Sequence, residues 1–181
     1  MALSATIFKA NLQVSDMNRH YYADHQLTLA RHPSETDERM MVRLLAFALH
    51  AGEHLSFTKG LCVDDEPALW QKSLSDEIEL WIDVGLPDEK RVRKACSRAM
   101  HVCLYIYGGR NAELWWQNNA PKLQRFNNLT VMEIPEANSS ELARLATRTM
   151  QLQCTLQDGE IWLSCEDQSL TVTPLARKTQ G

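Results

Sequence analysis

The stretch Ile78–Lys94, IELWIDVGLPDEKRVRK, constrains the fold of this chain more than any other. Ile78, Leu80, Ile82 and Val84 alternate with Glu79, Trp81 and Asp83, the period of two that gives a strand one buried face. Gly85 and Pro87 break the alternation and Asp88 can cap a helix. The period then lengthens to 3.6, turning Val92, Ala95, Cys96 and Ala99 inward, and a second apolar run, Val102–Tyr107, follows at once. Strand, helix and strand in close succession predict a parallel, right-handed crossover. The far face of the first strand then carries two carboxylates beside a strongly basic helix.

The rest of the chain adds a pair of strands before this unit and a hairpin after it. Ala5–Val14 and His20–Ala30 both alternate, and the short polar link between them predicts an antiparallel pair. Ser34 is a candidate N-cap for a helix whose apolar stripe includes Met40, Met41, Leu44, Leu45, Phe47 and Ala48, with Gly52 at its end. Glu113–Arg125 reads as a helix interrupted near Pro121, and Asn128–Ile134 as a strand. Ser139 or Ser140 would cap a helix reaching Arg148. Asp158-Gly159 between Met150–Gln157 and Ile161–Cys165 is a hairpin signal, and Leu170–Thr173 adds a last short strand. The prediction is an α/β chain with α+β features: a mixed central sheet flanked by helices, an N-terminal antiparallel strand pair and a C-terminal hairpin. Residues 1–181 form a single compact domain, with 175–181 a frayed basic tail.

Five cysteines, at 62, 96, 103, 154 and 165, form no CxxC pair and fall mostly in apolar runs, which predicts buried free thiols in a reducing compartment. MALSATIFKANLQV alternates and does not read as a signal peptide, and no apolar run approaches the ~20 residues of a bilayer span. These features predict a cytoplasmic protein, a monomer by default, without a membrane partner. The formal charge of −4 gives no global attraction to nucleic acid but leaves room for a local basic patch.

Chemistry concentrates on the crossover. Glu79 and Asp83 share a face but lie roughly 13 Å apart along the strand, too far to hold one metal. Carboxylates for a site at Asp83 must come from elsewhere, and Asp64-Asp65-Glu66 is the nearest acidic segment. Hard cations such as Mg²⁺ are held by one or two carboxylates and keep waters for chemistry. Lys94 could then activate a water or stabilise a phosphate. Arg91, Lys94 and Arg98 share a helix face that could contact a phosphate backbone, though acids early and bases late are also what the helix dipole favours. Glu53, near the end of the first long helix, could reach towards the sheet. His50-Ala51-Gly52-Glu53-His54 has the HxxEH zinc spacing, but Gly52 stands where a rigid helical turn is required. The five tryptophans are read first as core, with an aromatic cluster near Asp83 that lines a pocket or stacks a base as the alternative.

The runs ATIFKANLQVSDMNRHYYADHQLTLARHPSETDERMMVRLLAFAL, DEPALWQKSLSDEIELWIDVG and PDEKRVRKA resemble the bacterial YaeQ family over essentially the whole chain. That family resembles in fold a variant of the restriction-endonuclease-like PD-(D/E)XK nucleases, whose core runs helix, three strands, helix, strand. The resemblance implies Mg²⁺- or Mn²⁺-dependent phosphodiester hydrolysis of nucleic acid. Asp83 would be the acid of the (D/E)xK element and Asp65, or alternatively Asp76, the other aspartate. Glu53 would be the helix glutamate, and Lys94 a lysine moved into the following helix. Asp65, Asp83 and Glu53 would then be the metal ligands. Gly85 stands where the motif places its lysine. The alternative is an inactive nuclease-fold relative that binds nucleic acid or a protein.

Overall fold

A computed structural model of the chain describes residues 4–59 and 65–180. Asp64, Cys62 and the apolar run 60–63 lie outside the described residues. The first strand, β1 (Thr6–Asp16), pairs antiparallel with β2 (Tyr21–Arg31), as the alternation predicts. Helix α1 (Asp37–Leu49) is capped by Thr36, not Ser34: the Thr36 hydroxyl accepts from the Arg39 N–H at 3.1 Å. His32 holds Ser34 in a local turn, with the Ser34 N–H donating to its Nδ1 at 3.1 Å. The chain then forms β3 (Leu55–Phe57), β4 (Leu69–Lys72) and β5 (Ile78–Val84) as an antiparallel meander. Helix α2 (Glu89–Arg98), capped by Asp88, crosses over to β6 (Ala99–Ile106), which pairs parallel with β5. Ala99 therefore closes the helix, its N–H donating to the Ala95 carbonyl, and opens the strand.

Helix α3 (Arg110–Leu123) absorbs Pro121 near its end, and β7 (Leu129–Glu133) extends the parallel part of the sheet. Helix α4 (Glu136–Arg144) starts directly after Pro135, earlier than either Ser139 or Ser140. Ser139 is buried inside it, its hydroxyl donating to Glu38 of α1. The hairpin of β8 (Thr149–Gln157) and β9 (Glu160–Cys165) turns on Asp158 and Gly159, both at positive φ, followed by β10 (Gln168–Val172). The segment expected to fray is instead β11 (Leu175–Lys178), which pairs antiparallel with β7. Its Lys178 is buried, and the ammonium is satisfied by the carbonyls of Leu129 and Thr179 at 3.2 and 3.3 Å.

The strands form two mixed sheets, ordered β10-β9-β8-β1-β2 and β11-β7-β6-β5-β4-β3: the expected mixed sheet flanked by helices, and a second sheet built from the N-terminal pair and the C-terminal hairpin. The C-terminal hairpin joins the N-terminal pair because β8 runs parallel to β1, a pairing of distant segments that alternation alone cannot specify. Helices α1 and α4 fill the space between the sheets, and α2 and α3 cover the other side of the six-stranded sheet. Both faces of β5 are consequently covered. Ile82 and Val84 belong to the core that contains α1, and Trp81 to the core under α2 and α3. Among the described residues no other layer covers the outer face of the five-stranded sheet, and its strands alternate buried and exposed along their length.

The described cysteines are free thiols. Burial pushes Cys103 and Cys154 up to about 12 and Cys96 up to about 11, so they remain protonated and unreactive at neutral pH. No helix among the described residues is long and apolar enough to cross a membrane.

Candidate functional site

The crossover brings Asp83 under the first turn of α2. The turn at Gly85 and Pro87 folds the helix back over the strand end, so Arg91 overhangs the residue eight positions earlier. Arg91 Nε donates to Asp83 Oδ2 at 3.0 Å and Nη2 to Oδ1 at 3.1 Å, a two-pronged ion pair. The indole N–H of Trp81, two residues back on the same strand face, donates to Oδ2 at 3.1 Å. The Ala68 N–H donates to Oδ1 at 3.2 Å while also reaching the Ile82 carbonyl. Asp83 is only 6% exposed, yet both its oxygens are bonded. A buried carboxylate is tolerated on these terms.

A second layer of contacts ties α2 to the segment before β4. Arg91 Nη2 also donates to the Glu66 carbonyl at 2.8 Å, and Arg98 Nη1 to the Asp65 carbonyl at 3.1 Å. The guanidinium of Arg98 lies 5.6 Å from the centre of the Trp81 ring. Lys94 forms an exposed ion pair with Asp65, and its ammonium holds the Asp65 carboxyl below the usual carboxylate range. The face expected to meet nucleic acid, Arg91, Lys94 and Arg98, therefore makes contacts within the chain. Lys90, Arg93 and Lys94 remain exposed along the helix.

Of the residues singled out in the sequence, Asp65, Asp83 and Lys94 come to one corner, and Glu53 and Asp76 do not. Thr58 lies opposite Ala68, the residue whose N–H holds Asp83. Glu53 is five residues back from Thr58, in the exposed turn after α1, towards the opposite end of the strands. Asp76 sits at positive φ in the exposed β4–β5 turn and pairs with Lys72 at 3.4 Å. Seven residues separate it from Asp83, roughly 20 Å of strand. Glu79 accepts from Gln71 at 2.8 Å.

This donor set, as arranged, does not fit a divalent cation. Both Asp83 oxygens accept from donors, and the nearest side chains to them include a guanidinium. Among the described residues no group of three or more His, Cys, Asp or Glu could hold a metal ion. Gly85 has φ +106, a conformation that strains any side chain, although nothing lies within 4 Å of where its Cβ would be. Space exists there for a lysine, but the backbone disfavours one.

The HxxEH spacing is not laid out on one helix. His50 ends α1, and its Nε2 lies 2.6 Å from the Tyr105 hydroxyl in the core between the sheets. Burial, assisted by Arg19, lowers its pKa to about 4, so it is neutral at ordinary pH. Glu53 and His54 are exposed beyond it. His25 packs against Phe47, and its Nε2 meets the Tyr21 hydroxyl at 2.9 Å. The partners of Asp83 were the main residues that sequence reasoning missed. Trp81 shared its strand face, and Arg91 was visible only as a helix cation.

The family model described as "YaeQ protein" matches residues 1–174. The chain is 51% identical over 172 residues to "Uncharacterized protein YaeQ" of Escherichia coli (strain K12), covering 95% of each. It is also 51% identical over 164 residues to the protein of the same description from Salmonella typhi, covering 91% of each. The crystal structure of YaeQ protein from Xanthomonas axonopodis pv. citri is similar with a TM-score of 0.94 and 48% identity, over 97% of this chain and 99% of that one. The YaeQ protein from Pseudomonas syringae matches with a TM-score of 0.93 and 33% identity, over 98% of each chain.

Proposed function

The chain belongs to the YaeQ family, and on that premise we propose that it is a nucleic-acid-binding module of nuclease-like architecture that engages a phosphate backbone through α2. The observation that carries this reading is the two-sided use of that helix. Arg91 anchors it to Asp83 and to the Glu66 carbonyl, while Lys90, Arg93 and Lys94 face solvent on the rigid element so formed. The Lys94–Asp65 pair is exposed, so a phosphate can replace the carboxylate at little cost. Fluorescence anisotropy on single- and double-stranded DNA and RNA tests it. Binding should weaken steeply from 50 to 200 mM salt, and each of Lys90→Ala, Arg93→Ala and Lys94→Ala should lower the salt slope by about 1. Absence of binding at 50 mM salt, or slopes unchanged in all three variants, rejects it.

The second reading is Mg²⁺- or Mn²⁺-dependent phosphodiester hydrolysis. Its support is the element order α1, β3, β4, β5, α2, β6, which is helix, three strands, helix, strand, together with the gathering of Asp65, Asp83 and Lys94 at one corner. It requires Arg91 to leave Asp83, and the Arg91 side chain is 30% exposed. A cleavage screen with both metals, comparing the native chain with Asp83→Ala, decides it. Equal cleavage by the two proteins, or none by either, removes this reading and leaves the binding module.

A further inference from the structure

The outer face of the five-stranded sheet lines up polar side chains in rows. Strand register places Asp24, Gln13, Gln153 and Ser164 across one row, and Gln26, Asn11 and Gln151 across the next. They line a concavity of about 530 Å³, in the size range of small-ligand sites. Its five amide side chains make no hydrogen bond to another group among the described residues. Each carries two donors and an acceptor without net charge. No cation lines the concavity, and Asp24 and Glu166 border it. A phosphate chain would be repelled, whereas hydroxyl groups, which donate and accept at once, match the amides.

The row on the other side of Gln13 and Gln153 reads Tyr22, Ser15, Thr155, Trp162. Tyr22 is 58% and Trp162 40% exposed, with small residues between them. Three strand spacings separate the rings, roughly 14 Å. The rings can stack on the C–H faces of sugar rings at either end of a short chain, while the amide rows take its hydroxyls.

From this arrangement we propose that the outer face of the five-stranded sheet is a binding site for an uncharged oligosaccharide. It is independent of the α2 reading and uses none of its residues. The test is side-chain amide and indole NMR on the full chain, titrated with neutral gluco-, manno-, galacto- and N-acetylglucosamine hexasaccharides. Polyuridylate and oligolysine form two further arms. Expected are saturable shifts of the face amides and the Trp162 indole with at least one glycan, weakened about tenfold in Gln153→Ala and in Trp162→Ala, each melting like the native protein. The native protein overturns the proposal if no glycan shifts these signals, or if polyuridylate or oligolysine shifts them in place of the glycans. Glycan binding unchanged in both variants overturns it as well.

Discussion

Charge is buried at several places in this protein, and two of them are built differently. Between the sheets, Glu35 receives Arg43 through Nε at 2.8 Å and Nη2 at 2.7 Å, with Arg39 as a third donor, and the side chains of Glu35 and Arg43 are only 2% and 3% exposed. Under α2, Asp83 receives the same fork from Arg91, but that arginine reaches solvent. The inner pair is sealed by α1, the strand end at Ala30 and the ring of Phe57. In the outer one Asp83 is buried, while the Arg91 side chain is 30% exposed. An arginine partly in water exchanges partners more readily than a sealed one, and the proposed function is placed at the outer pair on that ground. The inner pair is architecture.

Removing one partner at each place should separate them. Glu35→Gln leaves Arg43 buried without a counter-charge and should cost about 3–5 kcal/mol in urea unfolding. A loss below about 1 kcal/mol would mean that the inner layer is less sealed than its geometry. The same layer predicts acid sensitivity. His50 has a folded pKa of about 4 against 6.5 in a free chain, so the unfolded state binds the extra proton. Stability from this group is present above about pH 6.5, falls as pH drops, and is fully lost below about pH 4. The difference between pH 7 and pH 4.5 should be on the order of 2–3 kcal/mol and should shrink in His50→Gln. An undiminished difference in the variant would assign the acid loss to other groups.

Asp83→Ala tests the outer pair. It strands the Trp81 indole, but the Ala68 N–H keeps its bond to the Ile82 carbonyl and Arg91 can turn to water. The expected cost is about 2 kcal/mol, less than at Glu35, because only part of the site is desolvated. A loss as large as that of Glu35→Gln would erase the distinction between the two places and with it the argument that Arg91 can exchange.

The legible parts of the fold were those in which neighbours in sequence are neighbours in space. The β1–β2 pair, the β5–α2–β6 crossover and the Asp158-Gly159 hairpin are local, and their periodicity specified them. The β1–β8 pairing and β11 on β7 join segments far apart in sequence, and no local pattern encodes them. At the site, the gathering of Asp65, Asp83 and Lys94 was legible because the acidic segment leads into β4, the strand beside β5. What stayed hidden was which cation takes Asp83. Arg91, Lys94 and Arg98 are equivalent on a helical wheel, and the tilt of α2 over the strand end, set by the turn at Gly85, chooses among them. Glu53 failed for a comparable reason: a residue at a helix end points wherever the following turn carries it, and here that is towards the far end of the meander.

Lys94→Ala should have the smallest effect on stability and therefore gives the sharpest contrast with Asp83. Both residues meet an opposite charge at the same corner, yet the Lys94–Asp65 pair lies in water on both sides. Its loss should change urea stability by no more than about 0.5 kcal/mol. If α2 engages phosphate, the same substitution should still weaken nucleic-acid binding measurably at 50 mM salt and reduce the salt slope by about 1. A cation that contributes to binding and not to folding is one placed for a partner. A Lys94→Ala protein that loses stability and keeps its binding would make Lys94 a strut for the Asp65 segment and move the candidate contact surface to Lys90 and Arg93.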